Sequence, residues 1–289
     1  GERFYCKGKK CDEFLLAMLL FASGKYEDAY KYFQLHDGYK DMHINELPNF
    51  MQDLLQTNDD QSEWTPLVKV IVATDHKEAR FYYHLSCLYS NHSMNPDLAL
   101  RAIKKSVEIS MNNETELDII TKQHEQLLTM LIRFSIFDEV IDVLRFGHSF
   151  LSSSERFQYF QSLLGNQNHN DKFFSTLINM ISTNSENVLD LEDYNIVDDI
   201  LSKSLDDDWT SHKRLFTFRC VNKYEREAAE VVFNYWFNLR KDADATLKKR
   251  YCLIIINILS TFVNNYDQYI LNGADVVTLG ELKEQCMSL

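Results

Sequence analysis

Turn-forming residues are scarce in this sequence, which contains 8 glycines and 3 prolines among 289 residues. Folds built only from β-strands need many tight turns, and Gly and Pro supply most of them. Good helix formers such as Leu, Lys, Glu, Ala and Met are plentiful instead. The composition therefore favours an all-α fold.

Positive charge is also in deficit, because 30 Lys and Arg face 43 Asp and Glu, for a formal net charge of -13 at pH 7. General binders of nucleic acid or anionic membranes need a cationic face. Long hydrophobic runs are missing as well, since the longest, Phe14–Ala22 and Cys252–Leu259, fall far short of the ~20 residues that span a bilayer. The sequence predicts neither a direct nucleic-acid partner nor a transmembrane segment.

Motifs that carry chemistry are absent or incomplete. His124-Glu125 begins a HExxH pattern, but Leu128 stands where the second zinc-binding His would be. Phosphate-binding glycine loops and the GxSxG elbow are missing, and Asp206-Asp207-Asp208 lacks the alternating ligands of a calcium loop. We therefore expect no catalytic residues, no metal site, no cofactor and no small-molecule substrate, which argues against an enzyme.

The 6 cysteines are scattered, and several lie inside apolar helical runs. This distribution predicts free thiols in a reducing compartment. Cys6 and Cys11 could alternatively form a disulfide or half of a zinc site, although no second pair with suitable spacing follows. The start at Gly1, without Met, indicates an excised piece of a longer protein.

Pairs of helices recur along the chain, and the first pair has the clearest signature. Residues 12–35, DEFLLAMLLFASGKYEDAYKYFQL, predict two helices around a tight turn at Gly24-Lys25. Gly24 supplies the turn, Tyr26 closes the end of the pair, and Ala29 allows close packing. This GxYxxA pattern is typical of tetratricopeptide-like hairpins.

The stretch Lys213–Asn265 predicts three antiparallel helices, 213–221, 225–239 and 243–264. Ala228 and Ala229 lie where two of them must approach closely, and Tyr224 is assigned with them to helix packing. Because all the predicted pairs recur at uneven intervals, we expect an irregular helical solenoid of stacked antiparallel helix pairs. The chain is predicted to be a single domain, 1–289, with a weak subdivision near 149–170.

Several local features are also predicted. Ser152 with Glu155, and Thr278 with Glu281, have the spacing of capping boxes at helix starts. Residues 189–209 predict a surface helix with a solvated acidic face. Residues 266–273 are predicted to be irregular.

The end of the chain is the predicted partner interface. Its apolar residues follow the last long helix and have few partners left within the chain, while Tyr is enriched at interfaces. The candidate interface residues are Tyr266, Tyr269, Val276, Val277, Leu279 and Leu282. Lys248-Lys249-Arg250 is interpreted as a basic turn on the exposed side of a core helix, with a phosphate or partner contact as the alternative.

Three segments lie within the last 80 residues or so, namely LFTFRCVNKYEREAAEVVFNYWFNL, KKRYCLIIINILSTF and ADVVTLGELKEQC. They resemble the C-terminal helical region of the large Y-complex scaffold nucleoporins, the 120 family of fungi and 160 family of animals. The resemblance implies a structural scaffold of the nuclear pore complex, at the nuclear envelope. It also implies partners at the hub of the Y-shaped coat, namely helical nucleoporins of the 96/145C and 85 families.

Two other functions fit the same architecture. A tetratricopeptide-like adaptor would bind short peptides in a concave groove lined by exposed Asn, Lys or Arg. A subunit of another helical coat or lid assembly would differ from a nucleoporin only in its partners.

Overall fold

A computed structural model describes residues 9–35, 44, 47–56, 62–72, 77–92, 96–112, 117–165, 170–184 and 188–289. The described residues are mainly α-helical, with one two-stranded sheet, which confirms the all-α prediction. The chain divides into two compact units, Gly1–Val143 (unit 1) and Leu144–Leu289 (unit 2). The prediction of one domain with a weak subdivision near 149–170 stays a prediction.

The elements follow one another in chain order. Unit 1 contains α1 (Lys9–Ala22), α2 (Tyr26–Leu35), α3 (Asn49–Gln56), α4 (Thr65–Val72), α5 (Lys77–His92), α6 (Pro96–Asn112), α7 (Leu117–Arg133) and most of α8 (Phe137–Phe146). Unit 2 contains a 3-10 turn (Gly147–Ser149), α9 (Ser153–Gly165), α10 (Asn170–Thr183), α11 (Leu191–Lys203), α12 (Trp209–Val221), α13 (Glu225–Phe233) with a π-helical continuation (Asn234–Leu239), α14 (Ala245–Leu259), a second 3-10 turn (Asn265–Asp267), β1 (Tyr269–Asn272), β2 (Asp275–Thr278) and α15 (Leu279–Ser288).

Three helix-to-helix turns share one backbone geometry. Gly24, Ser135 and Lys223 adopt positive φ angles of 78°, 57° and 64° at the ends of α1, α7 and α12. In each turn the N–H of that residue donates to the carbonyl three residues back, and the next N–H donates to the carbonyl five residues back, at 2.9 to 3.1 Å. These bonds are those of a Schellman motif, which satisfies the last carbonyls of a helix and reverses the chain.

Edge-on contacts between aromatic rings pack the first hairpin of unit 1. The ring of Phe21 contacts those of Tyr26, Trp64 and Tyr89 edge-on, with centroids 4.9 to 5.4 Å apart. The Tyr89 hydroxyl donates to the Tyr26 carbonyl oxygen at 2.9 Å. Ala29 is fully buried, so a small side chain stands where α2 meets its neighbours.

The centre of unit 2 lies between α13, α14 and the end of the chain. Ala228 and Ala229 are both 0% exposed, and Tyr224 stacks on Tyr194 with ring centroids 4.2 Å apart. Trp236 and Phe237 are half-buried against the same core. The core cluster consists of Ala229, Val232, Phe233, Ile255, Leu259, Ile270, Leu279 and Leu282.

The prediction of a solvated acidic face on residues 189–209 is wrong at Asp193. This side chain is fully buried, and its Oδ1 accepts a hydrogen bond from Arg156 Nε on α9 at 2.9 Å. Leu191, an apolar residue of the same helix, is 67% exposed. Asp193 tolerates burial because a buried carboxylate can be compensated by a paired guanidinium, and this partner lies 37 residues earlier in the sequence.

The prediction of irregular structure over 266–273 is also wrong. Tyr269–Asn272 forms β1 and pairs antiparallel with β2 around the two-residue loop Gly273-Ala274. Gly273 has φ +65°, as a type II′ turn requires at its first central position. The Asn272-Gly273 dipeptide between two apolar stretches is a hairpin signal that the sequence did contain.

Both predicted capping boxes are confirmed. The Ser152 and Thr278 backbone N–H groups each donate to the Glu three residues later at 2.7 Å, and each hydroxyl oxygen accepts that Glu's N–H at 3.3 Å. Among the described cysteines, Cys87, Cys220, Cys252 and Cys286 are free thiols. Cys6 lies outside the described residues, and so does its predicted pairing. Of the helices described, none has the length and apolar character needed to cross a bilayer.

Candidate interaction surfaces

The end of the chain folds back on unit 2. Ile270 of β1 is fully buried in the core cluster, and half-buried Val277, opposite it on β2, packs against that cluster. Cys252 Sγ of α14 contacts the Leu282 carbonyl oxygen of α15 at 3.4 Å. Burial, with Cys286 nearby, raises the pKa of the Cys252 thiol to about 12, so this contact stays neutral. The hairpin Tyr269–Thr278, here called the tail hairpin, is therefore anchored on one face.

Two charged residues of α13 hold β1 in place. The Arg226 guanidinium lies 4.3 Å from the Tyr269 ring centroid, and its Nη2 donates to the Asp267 carbonyl oxygen at 3.0 Å. The Leu271 N–H donates to Glu230 Oε1 at 2.9 Å. Burial raises the pKa of Glu230, and the hydrogen bond from Leu271 opposes that rise. The side of β1 that faces away from β2 is thus closed by α13.

The other face of the tail hairpin carries an exposed apolar pair. Leu271 and Val276 are cross-strand partners, 45% and 54% exposed. Opposite residues of a hairpin project to the same face, and neighbours along a strand alternate. The burial of Ile270 therefore requires this pair to face outward. Tyr266, in the preceding 3-10 turn, is 89% exposed.

The predicted interface residues thus separate into three groups. Tyr266 and Val276 are exposed, whereas Tyr269 and Val277 are half-buried. Leu279 and Leu282 are 8% and 0% exposed because they fill the core below α13 and α14, so neither offers surface to a partner. Leu271 was missed in the sequence, although the period-2 pattern of a hairpin would have paired it with Val276.

The backbone of β2 is the open edge of the sheet. Because the Leu271 N–H points away from β2 toward Glu230, Leu271 and Val276 form a non-hydrogen-bonded pair, and the polar backbone groups of Val276 point to the opposite side. Within the described residues β2 pairs with β1 alone. An open edge beside an exposed apolar pair is a surface that a further chain can cover.

The basic residues 248–250 lie in the first half of α14, not in a turn. Lys249 and Arg250 are exposed, while Lys248 Nζ donates to the Lys241 carbonyl oxygen. Of the plainer sequence interpretation, the position on the exposed side of a core helix agrees with the structure and the turn does not.

Unit 1 contains a cavity of about 600 Å³ between α4, α5 and α7. Arg80 and Lys122 contribute cationic groups to its wall, and the described lining residues include no carboxylate. Gln123 also lines it and is 1% exposed, yet both polar atoms of its amide lack hydrogen-bond partners among the described residues. Burial, together with Arg80, lowers the pKa of His84 in this wall to about 4, so this ring is neutral at pH 7.

Comparison with known proteins bears on all of these surfaces. No protein-family profile matches the chain. Nucleoporin NUP120 of Saccharomyces cerevisiae is 39% identical to it over 294 residues, an alignment that covers 99% of this chain. The chain spans 28% of the length of that relative. Because the identity extends along nearly the whole chain, including the segments that predicted the relationship, the match supports a nucleoporin of the 120/160 type.

Proposed function

We propose that this chain is a non-enzymatic structural scaffold of the nuclear pore Y-complex, which joins helical coat nucleoporins at the hub of the Y. Its location at the nuclear pore complex of the nuclear envelope follows from its family. The proposed partners are the C-terminal helical regions of the 96/145C and 85 families, and the role is support of nucleocytoplasmic transport through assembly.

The exposed apolar pair on the tail hairpin carries this proposal. Leu271 and Val276 are held outward by a rigid base, since Ile270 is buried and Arg226 and Glu230 fix β1. Apolar anchors that are already ordered lose little conformational entropy on binding. Tyr266 adds an exposed aromatic ring of a type enriched at interface centres.

Charge substitution at the pair tests the proposal. In Leu271→Glu/Val276→Glu each Glu stays hydrated in the free chain but would be desolvated under a partner. We expect this variant to fail to co-elute with 96/145C-family and 85-family partners in size-exclusion chromatography. Leu117→Glu/Leu191→Glu is the matched control, because it adds the same charge at sites 60% and 67% exposed. Co-elution of the tail variant would contradict the proposal.

Deletion of the tail is not a clean test. Removing residues 266–289 would uncover the core cluster, because Ile270, Leu279 and Leu282 belong to it. Loss of binding would then report loss of folding as well. Binding of wild-type chain to components of another coat or lid, without any nucleoporin, would favour that alternative assembly.

The cavity of unit 1 favours a second function, binding of an acidic peptide. Arg80 and Lys122 would pair with carboxylates, and the Gln123 amide offers one donor and one acceptor to a peptide backbone. The basic wall is complementary to such a ligand in a chain of net charge -13. A basic wall of this kind supports a peptide-binding adaptor as the alternative function.

Lys122→Glu reverses one wall charge and tests this second function. The probe is a fluorescein-labelled acetyl-Glu-Phe-Glu-Leu-Glu amide peptide, followed by anisotropy at low salt. Binding to wild type that weakens in Lys122→Glu, and persists in Lys105→Glu outside the cavity, would support it. Equal binding by both variants, or none by wild type, would argue against it.

A further inference from the structure

Three helices build the wall of the unit 1 cavity in the same way. Each contributes a residue together with the residues three and four positions later, a spacing that places side chains on one face of a helix. The sets are Pro66, Lys69 and Val70 on α4, Arg80, Tyr83 and His84 on α5, and Ile119, Lys122 and Gln123 on α7. Each helix thus adds one cation to the wall, beside apolar or aromatic side chains.

The aromatic part of this wall lies on α5. The rings of Tyr83 and His84 meet edge-to-face, with centroids 5.2 Å apart and planes inclined at 80°. Since burial and Arg80 lower the pKa of His84 to about 4, this ring adds no positive charge at pH 7. A third ring that entered the cavity would pack on this pair in one of the geometries that aromatic side chains prefer. The wall therefore suits an aromatic group.

The cations lie closer to solvent than the apolar side chains do. Lys69 and Lys122 are exposed and Arg80 is half-buried, whereas Val70 is 5% exposed. A ligand with an apolar group inside and anions at the rim would match both parts of the wall. Charges at such a rim mainly guide association, whereas an aromatic anchor in a closed pocket supplies most of the affinity.

A buried amide in the wall also indicates a peptide ligand. Gln123 is 1% exposed, and both polar atoms of its amide lack hydrogen-bond partners among the described residues. Buried polar groups without partners are rare and costly. A peptide main chain carries the complementary N–H and carbonyl oxygen. The volume of about 600 Å³ lies within the range of ligand pockets, so a side chain and adjoining main chain have room.

We propose that the unit 1 cavity binds an acidic peptide by taking up one aromatic side chain, while carboxylates on both sides of that residue pair with Arg80 and Lys122. This mode of binding rests on the proposed second function and adds the side chain that is recognised. Charge alone would make any acidic peptide a ligand, whereas an inserted ring makes binding depend on one position of the peptide.

Two peptides of equal charge test the inserted ring. Fluorescein-labelled Glu-Glu-Phe-Glu-Glu amide and Glu-Glu-Ala-Glu-Glu amide are titrated with the 289-residue chain and followed by anisotropy. We expect the alanine peptide to bind at least about 10-fold more weakly, because it loses the burial of an aromatic side chain. The ratio of the two dissociation constants should persist from about 20 to 150 mM salt, since salt screens the carboxylates but not the ring.

Ile119→Trp occupies part of the cavity from α7 and leaves the three cations in place. It should weaken binding of the phenylalanine peptide at least about 10-fold and leave the alanine peptide nearly unchanged. Leu117→Trp is the matched control, because Leu117 lies on the same helix, is 60% exposed and is not part of the cavity wall. Circular dichroism and melting temperature establish that both variants fold.

The possible failures are distinguishable. Equal affinity of the wild-type chain for the two peptides would overturn the inserted ring but leave peptide binding by charge in place. A loss of affinity that Leu117→Trp shares with Ile119→Trp would also overturn the inserted ring. Absence of binding of either peptide to the wild-type chain would overturn the second function itself, and the inserted ring with it.

Discussion

The hairpins α1–α2 and α12–α13 have the same turn but different surroundings. Gly24 in the first and Lys223 in the second take left-handed conformations and make the same pair of backbone bonds. Five residues further on, Ala29 and Ala228 are both fully buried. The first hairpin packs through the edges of aromatic rings, whereas the second packs through stacked rings, Tyr224 on Tyr194, and the ion pair Arg219–Asp198.

This difference separates what makes a hairpin from what holds it in its unit. Backbone bonds and a small residue at one position recur in both hairpins, so they suffice to define the turn and the close helix approach. The partners beyond the turn are free to differ. Substitutions at equivalent positions should therefore act alike, and substitutions of the surroundings should act on one hairpin alone.

Asp198→Ala should have the largest effect, and only on α12–α13. Asp198 accepts two hydrogen bonds from Arg219 at 2.7 and 2.8 Å, and both side chains are largely buried. Leaving this guanidinium without its partner should lower the free energy of unfolding by about 1.5 to 3 kcal/mol, measured by urea denaturation. Asp199→Ala, which removes only an exposed pair with Lys203, is the control and should cost much less.

The next largest loss of stability should come from overpacking at the two buried alanines, and it should be similar in size in both hairpins. Ala228→Leu and Ala29→Leu each force a larger side chain into a fully buried site and should cost about 1 to 3 kcal/mol. Ala245→Leu at an exposed position should be nearly neutral. An unchanged melting temperature in Ala228→Leu would show that this position is not a close helix contact.

Substitution of the turn residues should change the free energy of unfolding in opposite directions in the two hairpins. Lys223→Gly relieves a left-handed conformation costing about 1–2 kcal/mol but adds entropy to the unfolded chain, so a net gain of about 0.5 to 1 kcal/mol is expected. Gly24→Ala should destabilise by about 1 kcal/mol, although nothing lies within 4 Å of the added Cβ. Changes of melting temperature in the same direction for Lys223→Gly and Gly24→Ala would contradict the shared turn geometry.

The smallest expected effect concerns Cys220, which stands in α12 three residues before the turn, where Phe21 stands in α1. Burial, with a contribution from Glu225, raises the pKa of this thiol to about 11. Since the thiolate is the reactive form, its alkylation by iodoacetamide should rise about tenfold per pH unit from 8 to 10. A rate that levels off near pH 9, measured by peptide mass spectrometry, would mean that solvent reaches this turn.

Local chemistry made much of the fold predictable. Gly24 predicted the first turn, and the Ser152–Glu155 and Thr278–Glu281 spacings predicted two helix starts. These features were predictable because they depend on residues only a few positions apart. The positive φ angles of Ser135 and Lys223 were not predictable, because neither Ser nor Lys favours that conformation as Gly does. Arg156 and Asp193 become partners only in the folded chain.

The sequence predicted a candidate interface after the last long helix, and that location stays a prediction. It could not separate Val276, which is exposed, from Leu282, which is buried. That distinction depends on which face of the tail hairpin and of α15 meets α14. For the hairpin, the burial of Ile270 decides which face points inward. That burial depends on contacts with residues distant in the sequence.

The central claim is that the outward pair of the tail hairpin binds another coat nucleoporin. The most direct test is the dissociation constant of the 289-residue chain with the C-terminal helical region of a 96/145C-family nucleoporin, measured by calorimetry. We predict that Leu271→Glu/Val276→Glu raises it more than about 30-fold, as loss of an interface hot spot does, while Leu117→Glu/Leu191→Glu leaves it unchanged. An unchanged constant in the tail variant, or an equal loss in the control, would contradict the account.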